Sequence, residues 1–322
     1  MRKKIIVAGI VSTITNKLTM GYIRIRIILA KIKGVAMNVR QKFIGSSDIA
    51  GVLGLSRWTT PLKIWAEKTG EIEPDDLSKN EYVEWGSRLE GVVAKKFADK
   101  NNCKLIAYKK RYMHKNFPYM TCELDRLIAG TDELVEIKTA NAWKFKEWSE
   151  GDEMPLEYIL QVMFALGLSG RKVGHVAVLI GGNKYIEKRI EFDKAMFDDM
   201  VDKARDFWEN YVLENVPPVA IAADNDNMVN LYPNNINPDL IEVNEEFESW
   251  VKMRQELSMH LGEMIDQKKD VEAKMKAFIG EFTGVETESY KVTWKKQLKK
   301  EYVVPASETR VLRVSKKKQE AK

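Results

Sequence analysis

The segment from Tyr119 to Thr139 constrains this chain more than any other. Two strand-like runs, Tyr119–Ile128 and Glu133–Thr139, flank Ala129-Gly130-Thr131-Asp132, a composition that turns a hairpin. Alternate side chains of a strand share a face, so Glu136 and Lys138 point together while Ile137 points to the opposite, core side. The hairpin brings Asp125 next to them. Upstream, Tyr82, Trp85, Gly86, Leu89, Val93 and Phe97 recur at helical spacing and predict a long helix from about Tyr82 to Lys100. Another strand pattern covers Lys104–Tyr108. Downstream, residues 156–168 predict an almost wholly apolar helix after Pro155. His175–Ile180 and Lys184–Phe192 predict a second hairpin across Gly181-Gly182-Asn183, and a helix from about Asp193 to Glu214 follows. These patterns make an α/β domain.

On the N-terminal side, residues 43–70 read as short helices. One opens at Pro61, runs through Leu62, Ile64 and Trp65, and is closed by Gly70. Pro217-Pro218 and an Asn-rich stretch to Pro238 mark a linker. Beyond it, Glu245–Phe282 is a long charged helix or helix pair with Val251, Leu257, Leu261, Met264, Val271, Met275 and Phe278 as partial heptads. Strand-like pieces follow at Lys291–Trp294 and Val311–Val314. The expected organisation is a basic extension outside the fold at 1–36, read as the product of a start codon set too early, an α/β domain at 37–218, a linker at 219–240, and a helical plus small β extension with a basic tail at 241–322.

Charge is unevenly spread. Residues 1–36 and 289–322 each carry +8, which leaves the middle at −11 against a net charge of +5. Basic ends on an acidic centre suit a protein that grips phosphates peripherally and holds cations centrally, although solvated tails would look the same. Cys103 and Cys122 are the only cysteines of the sequence, too few for a disulfide framework, so a reducing, cytoplasmic setting is expected. The three histidines lie far apart and form no zinc pattern. The apolar runs Ile5–Val11 and Ile27–Ala30 fall far short of the roughly 20 residues that span a bilayer, so no membrane partner is expected.

Hydrolysis of a phosphodiester needs an activated water, neutralised phosphoryl oxygens and help for the leaving oxygen. Divalent cations held by carboxylates supply all three, and a nearby lysine helps to orient or deprotonate the water and to stabilise negative charge. Asp125, Glu136 and Lys138 offer that set, with the Ile137 carbonyl as a further hard oxygen. Glu90 sits at the edge of its helix's apolar stripe, where an acid needs a partner. Gln161 is the lone polar residue of Tyr158-Ile159-Leu160-Gln161-Val162-Met163-Phe164. Singly, each has a plain alternative: a solvated charge pair, a helix-edge salt bridge, a satisfied core amide. Their order carries the signal: helix acid, hairpin Asp, E-x-K strand, helix glutamine. Glu123 shares a strand face with Asp125 and competes as a ligand.

That order resembles the YqaJ-type viral recombinases, relatives of the lambda-type phage exonucleases in the PD-(D/E)XK nuclease superfamily. The resemblance spans roughly residues 40–215. It is carried by Ile44-Gly45-Ser46-Ser47-Asp48-Ile49-Ala50, by Leu53-Gly54-Leu55-Ser56-Arg57-Trp58 with Thr60-Pro61, by Trp85-Gly86-Ser87-Arg88-Leu89-Glu90, by Asp125 with Glu136-Ile137-Lys138-Thr139, and by Tyr158 with Gln161. It implies a restriction-endonuclease-like core, a central mixed sheet flanked by helices. It also implies an exonuclease digesting duplex DNA from 5′ ends with Mg²⁺ (Mn²⁺ as substitute), often beside a single-strand annealing protein and as a homo-oligomer such as a ring-shaped trimer. By motif, Glu90, Asp125, Glu136 and the Ile137 carbonyl would hold metal, with Lys138 and Gln161 near the attacking water. Arg40, Ser47 and Arg57 would be candidates for terminal-phosphate contacts, while Trp58 and Trp85 are expected in the core. An endonuclease of the same fold and a catalytically silent DNA-end-binding protein are the alternatives.

Overall fold

The computed structural model of the chain describes residues 39–149, 154–234, 240, 245–301, 303, 306 and 310–315. Six strands make one mixed sheet: β1 (Ile44–Gly45), β2 (Leu105–Met113), β3 (Met120–Ile128), β4 (Glu133–Ala140), β5 (Val173–Ile180) and β6 (Lys184–Glu191). β3 pairs antiparallel with β2 along one edge. On its other edge it meets β1 in parallel at Met120 and Thr121, and β4 antiparallel at Arg126–Val135 and Leu127–Leu134. Between those two contacts β3 and β4 part, leaving a fork in the sheet. β4 then runs parallel to β5 along eight residue pairs, and β5 and β6 close the second expected hairpin.

The alternation of β4 divides the interior. Leu134 joins Val176 and Val178 in the main core, packed under the helices Leu156–Ser169 and Lys194–Asp206. Val135 and Ile137 point the other way, into a smaller core with Val93, Ala94 and Phe97 of the helix Glu81–Asn101. The result is the central mixed sheet flanked by helices expected of a PD-(D/E)XK domain.

Local chemistry sets the helix limits. Thr60 caps the helix Pro61–Thr69 by accepting the Lys63 N–H at 3.0 Å, with proline in the first turn, and Gly70 ends it at φ +80°. Asn80 caps Glu81–Asn101 through the Tyr82 and Val83 amides. The helix expected over 193–214 is α-helical only to Asp206 and continues as a π-helical stretch, Phe207–Leu213.

The first compact unit extends through Leu231. The stretch expected as linker from 219 therefore needs correction: it contains the helical turns Ala222–Asp224 and Asn225–Leu231, held down because buried Asp224 accepts from the Thr60 hydroxyl. The second unit begins at Tyr232. It has one unbroken helix, Glu245–Ile279, and a small hairpin of β7 (Gly284–Glu286) and β8 (Lys291–Thr293). The strand expected at Val311–Val314 does not form. Residues 1–36, expected as a basic extension, lie outside the described residues. Among the described residues, no helix is long and apolar enough to cross a membrane.

Candidate active site at the fork

Continuing the β3–β4 register past Arg126–Val135 would set Asp125 opposite Glu136. The strands separate there, and the Asp125 carboxylate fills the gap: its Oδ2 accepts the Ile137 N–H at 2.8 Å. A strand residue presents its N–H and C=O to the same edge, so the Ile137 carbonyl also faces the fork. Glu136 is buried, and its Oε1 accepts from Lys138 Nζ at 2.7 Å and from Gln161 Nε2 at 2.6 Å. Gln161 thus has the partner that an amide in an apolar helix requires. Asp125, Glu136, Lys138 and Gln161 line one cleft of about 380 Å³ together with Ser47 and Arg111.

The electrostatics of the cleft suit a cation. Burial, and then the charge of Glu136, push the Asp125 carboxyl up to about 7 against the Ile137 amide and Lys138. Burial works to lower Lys138, but Glu136 and Asp125 outweigh it and hold the ammonium above its ordinary pKa. One buried carboxylate (Glu136), one half-buried carboxylate (Asp125) and a carbonyl edge make a hard-oxygen donor set of the kind Mg²⁺ takes. Glu90 stands differently. It comes from the helix on the other face of the sheet and is turned onto Arg126, Oε1 to Nη1 2.6 Å. Among the described residues, no three acidic, histidine or cysteine side chains are gathered closely enough to hold a metal. Recruiting Glu90 therefore requires its release from Arg126.

The terminal-phosphate candidates separate. Ser47 is exposed at the cleft. Arg57 is not a cleft residue: its Nε and backbone N–H both bond buried Glu157, at 2.7 and 3.2 Å, and its Nη1 bonds Glu147 at 2.8 Å. Arg40 lies in the helical turn Val39–Lys42, and its side chain is outside the described residues. Glu123, the rival ligand, also lines the cleft and is paired there with Arg111 at 2.6 Å.

The expectation that Trp58 and Trp85 are core residues is overturned: they are 58% and 56% exposed. Trp58 sits in a bend, tilted against Tyr158 with Arg57 over its ring. Trp85 lies in the first turns of Glu81–Asn101, a helix whose first buried side chain is Val93. With Tyr82 and Leu89 it walls a groove beside Thr139 and Gly181.

Two residues at the site escaped the sequence reading. Arg126 was hidden because only the fold puts it under Glu90. Arg111 was hidden because β2 runs on to Met113, past the expected end at Tyr108. Tyr158 stood in the motif with Gln161 but without a role, and its ring lies 5.4 Å from Lys138 Nζ.

A family model described as the YqaJ-like viral recombinase domain matches residues 37–172. The protein described as uncharacterized protein YqaJ from Bacillus subtilis (strain 168) is 34% identical over 248 residues, covering 74% of this chain and 75% of that one. Among solved structures, the alkaline exonuclease LHK-Exo of Laribacter hongkongensis matches with TM-score 0.46 and 18% identity, over 56% of this chain and 91% of its own. A phage-related exonuclease from Haemophilus somnus 129PT matches with TM-score 0.42 and 11% identity, over 54% and 95%.

Proposed function

The chain belongs to the YqaJ-like viral recombinase family, and we propose that it is a Mg²⁺-dependent deoxyribonuclease that digests duplex DNA from 5′ ends during phage or prophage recombination. The observation that carries the proposal is the fork, where Asp125, Glu136, Lys138 and Gln161 meet in one cleft. Asp125, Glu136 and the Ile137 carbonyl would hold the cation, joined by Glu90 once it leaves Arg126; Mn²⁺ would substitute. When bound, the cation neutralises the phosphoryl oxygens and acidifies water.

The chain's own groups do the rest. Glu136 and Asp125 keep Lys138 charged, so its part is to neutralise charge growing on the attacked phosphate rather than to take the water's proton. Gln161, set by its bond to Glu136, orients the attacking water from the helix side. Ser47 contacts the terminal phosphate at the mouth of the cleft, and Arg111 receives the DNA backbone by exchanging Glu123 for it. Arg57 acts on that phosphate only by exchanging Glu147 for it. A single-strand annealing protein is the proposed partner for the strand left behind, and a homo-oligomer the proposed state.

Linear duplex DNA labelled at its 5′ or 3′ ends, with Mg²⁺ and beside a closed circular duplex, tests the reading. Early release of the 5′ label with the circle intact is the expected result. A cut circle would move the assignment to an endonuclease, and no cleavage with any divalent ion would move it to a DNA-end-binding protein.

A further inference from the structure

The helix Glu245–Ile279 of the second unit carries a pattern that the site does not use. Trp250, Leu257, Met264, Val271 and Phe278 recur every seven residues, and all are exposed. Three residues ahead of each stand Phe247, Arg254, Leu261, Lys268 and Met275. This is a heptad seam, with the first series at d and the second at a, running for about 45 Å at the helical rise. A repeat averaging 3.5 residues keeps its stripe in register with a supercoiling partner helix.

The charges on the seam choose the partner. A parallel copy would set Arg254 against Arg254 and Lys268 against Lys268 in the interior layers, with like charges apposed. An antiparallel copy, centred between Leu261 and Met264, sets a against d instead. Arg254 then meets Val271 of the second copy and Lys268 meets Leu257, so each basic side chain lays its aliphatic stem on an apolar layer. Phe247 meets Phe278, Trp250 meets Met275, and Leu261 meets Met264. On the flanks, Glu246 at one g position faces Lys274 of the second copy at another, once at each end, and Ile265 meets its own counterpart near the centre. We infer that this helix is a self-association element that pairs antiparallel with the same helix of a second copy.

Light scattering of the full-length chain and of the L257E/M264E variant tests the association. The variant should have half the mass of the parent. Equal masses would overturn the proposal, whether the stripe is covered by the rest of the chain or belongs to another protein. Should that variant misfold by circular dichroism, E246K should weaken association several-fold and E246K/K274E should restore it; no response to either would count against the inference. Direction is read by oxidative cross-linking, with the parent as control for Cys103. L257C mixed with K268C should cross-link as a heterodimer, whereas L257C joining itself would overturn the antiparallel arrangement.

Discussion

Asp125 and Glu136 lie close enough that the charge of one raises the carboxyl of the other, beyond what burial does. With chelator present, Asp125→Asn should stabilise the protein by about 1–3 kcal/mol at neutral pH, since the amide keeps the Ile137 bond and removes a half-buried charge beside Glu136. The sign follows from the raised Asp125 pKa. The native state keeps the proton longer than the unfolded chain, so wild-type stability falls as pH climbs from the ordinary carboxylate range to about 7. The gain should therefore vanish near pH 4, and urea melts across that range check it; a variant less stable at pH 7.5 would refute the account. Lys138→Ala should abolish cleavage while leaving DNA affinity within a few-fold, as measured by gel shift beside a nuclease assay. Arg57→Ala should cost about 1–3 kcal/mol whatever it does to DNA, because buried Glu157 loses its cation. Adding Glu157→Gln should recover most of that loss. Burial raises the Glu157 carboxyl, but Arg57 outweighs it and the net pKa is lowered. The stabilisation is thus full above the ordinary carboxylate pKa and fades as pH falls through the lowered value. None of this clasp was legible in the sequence, where Arg57 and Glu157 are 100 residues apart.

At the scale of elements, much was legible because local rules fix it. The four-residue turn and the strand period place Asp125 opposite Glu136, and a polar residue in an apolar helix announced the need that Gln161 satisfies with Glu136. Periodicity failed where the extent of a neighbour decides burial. The stripe of Glu81–Asn101 names a face correctly, but at Trp85 it borders an open groove with Thr139 and Leu179 rather than a packed interior, and no count of residues reveals that. The helix that carries Gln161 is pressed closely against its neighbour: a Cβ on Gly167 would stand 2.2 Å from the Phe197 ring. Gly167→Ala should therefore cost about 1–3 kcal/mol by overpacking and lower the turnover rate by moving Gln161. Thermal melts and single-turnover rates check this, and Phe197→Leu in the same chain should return part of both.

At the scale of the molecule, both hydrophobic cores lie within the unit that ends at Leu231. Residues 37–231 alone should therefore fold cooperatively and retain cleavage, whereas a chain stopped at 218 should melt lower because it loses the Asp224–Thr60 contact. Calorimetry of the two truncations decides between these boundaries. The charge pattern was readable from composition, and DNA affinity should fall steeply with salt if the basic ends grip phosphate. The fork has one more consequence. The Ile137 amide, in the middle of a sheet, is given to a side chain rather than to a neighbouring strand. Its deuterium exchange and its resonance therefore report on what Asp125 is doing, and titrating cations while watching that one proton would read the state of the cleft from inside the fold, without substrate and without turnover.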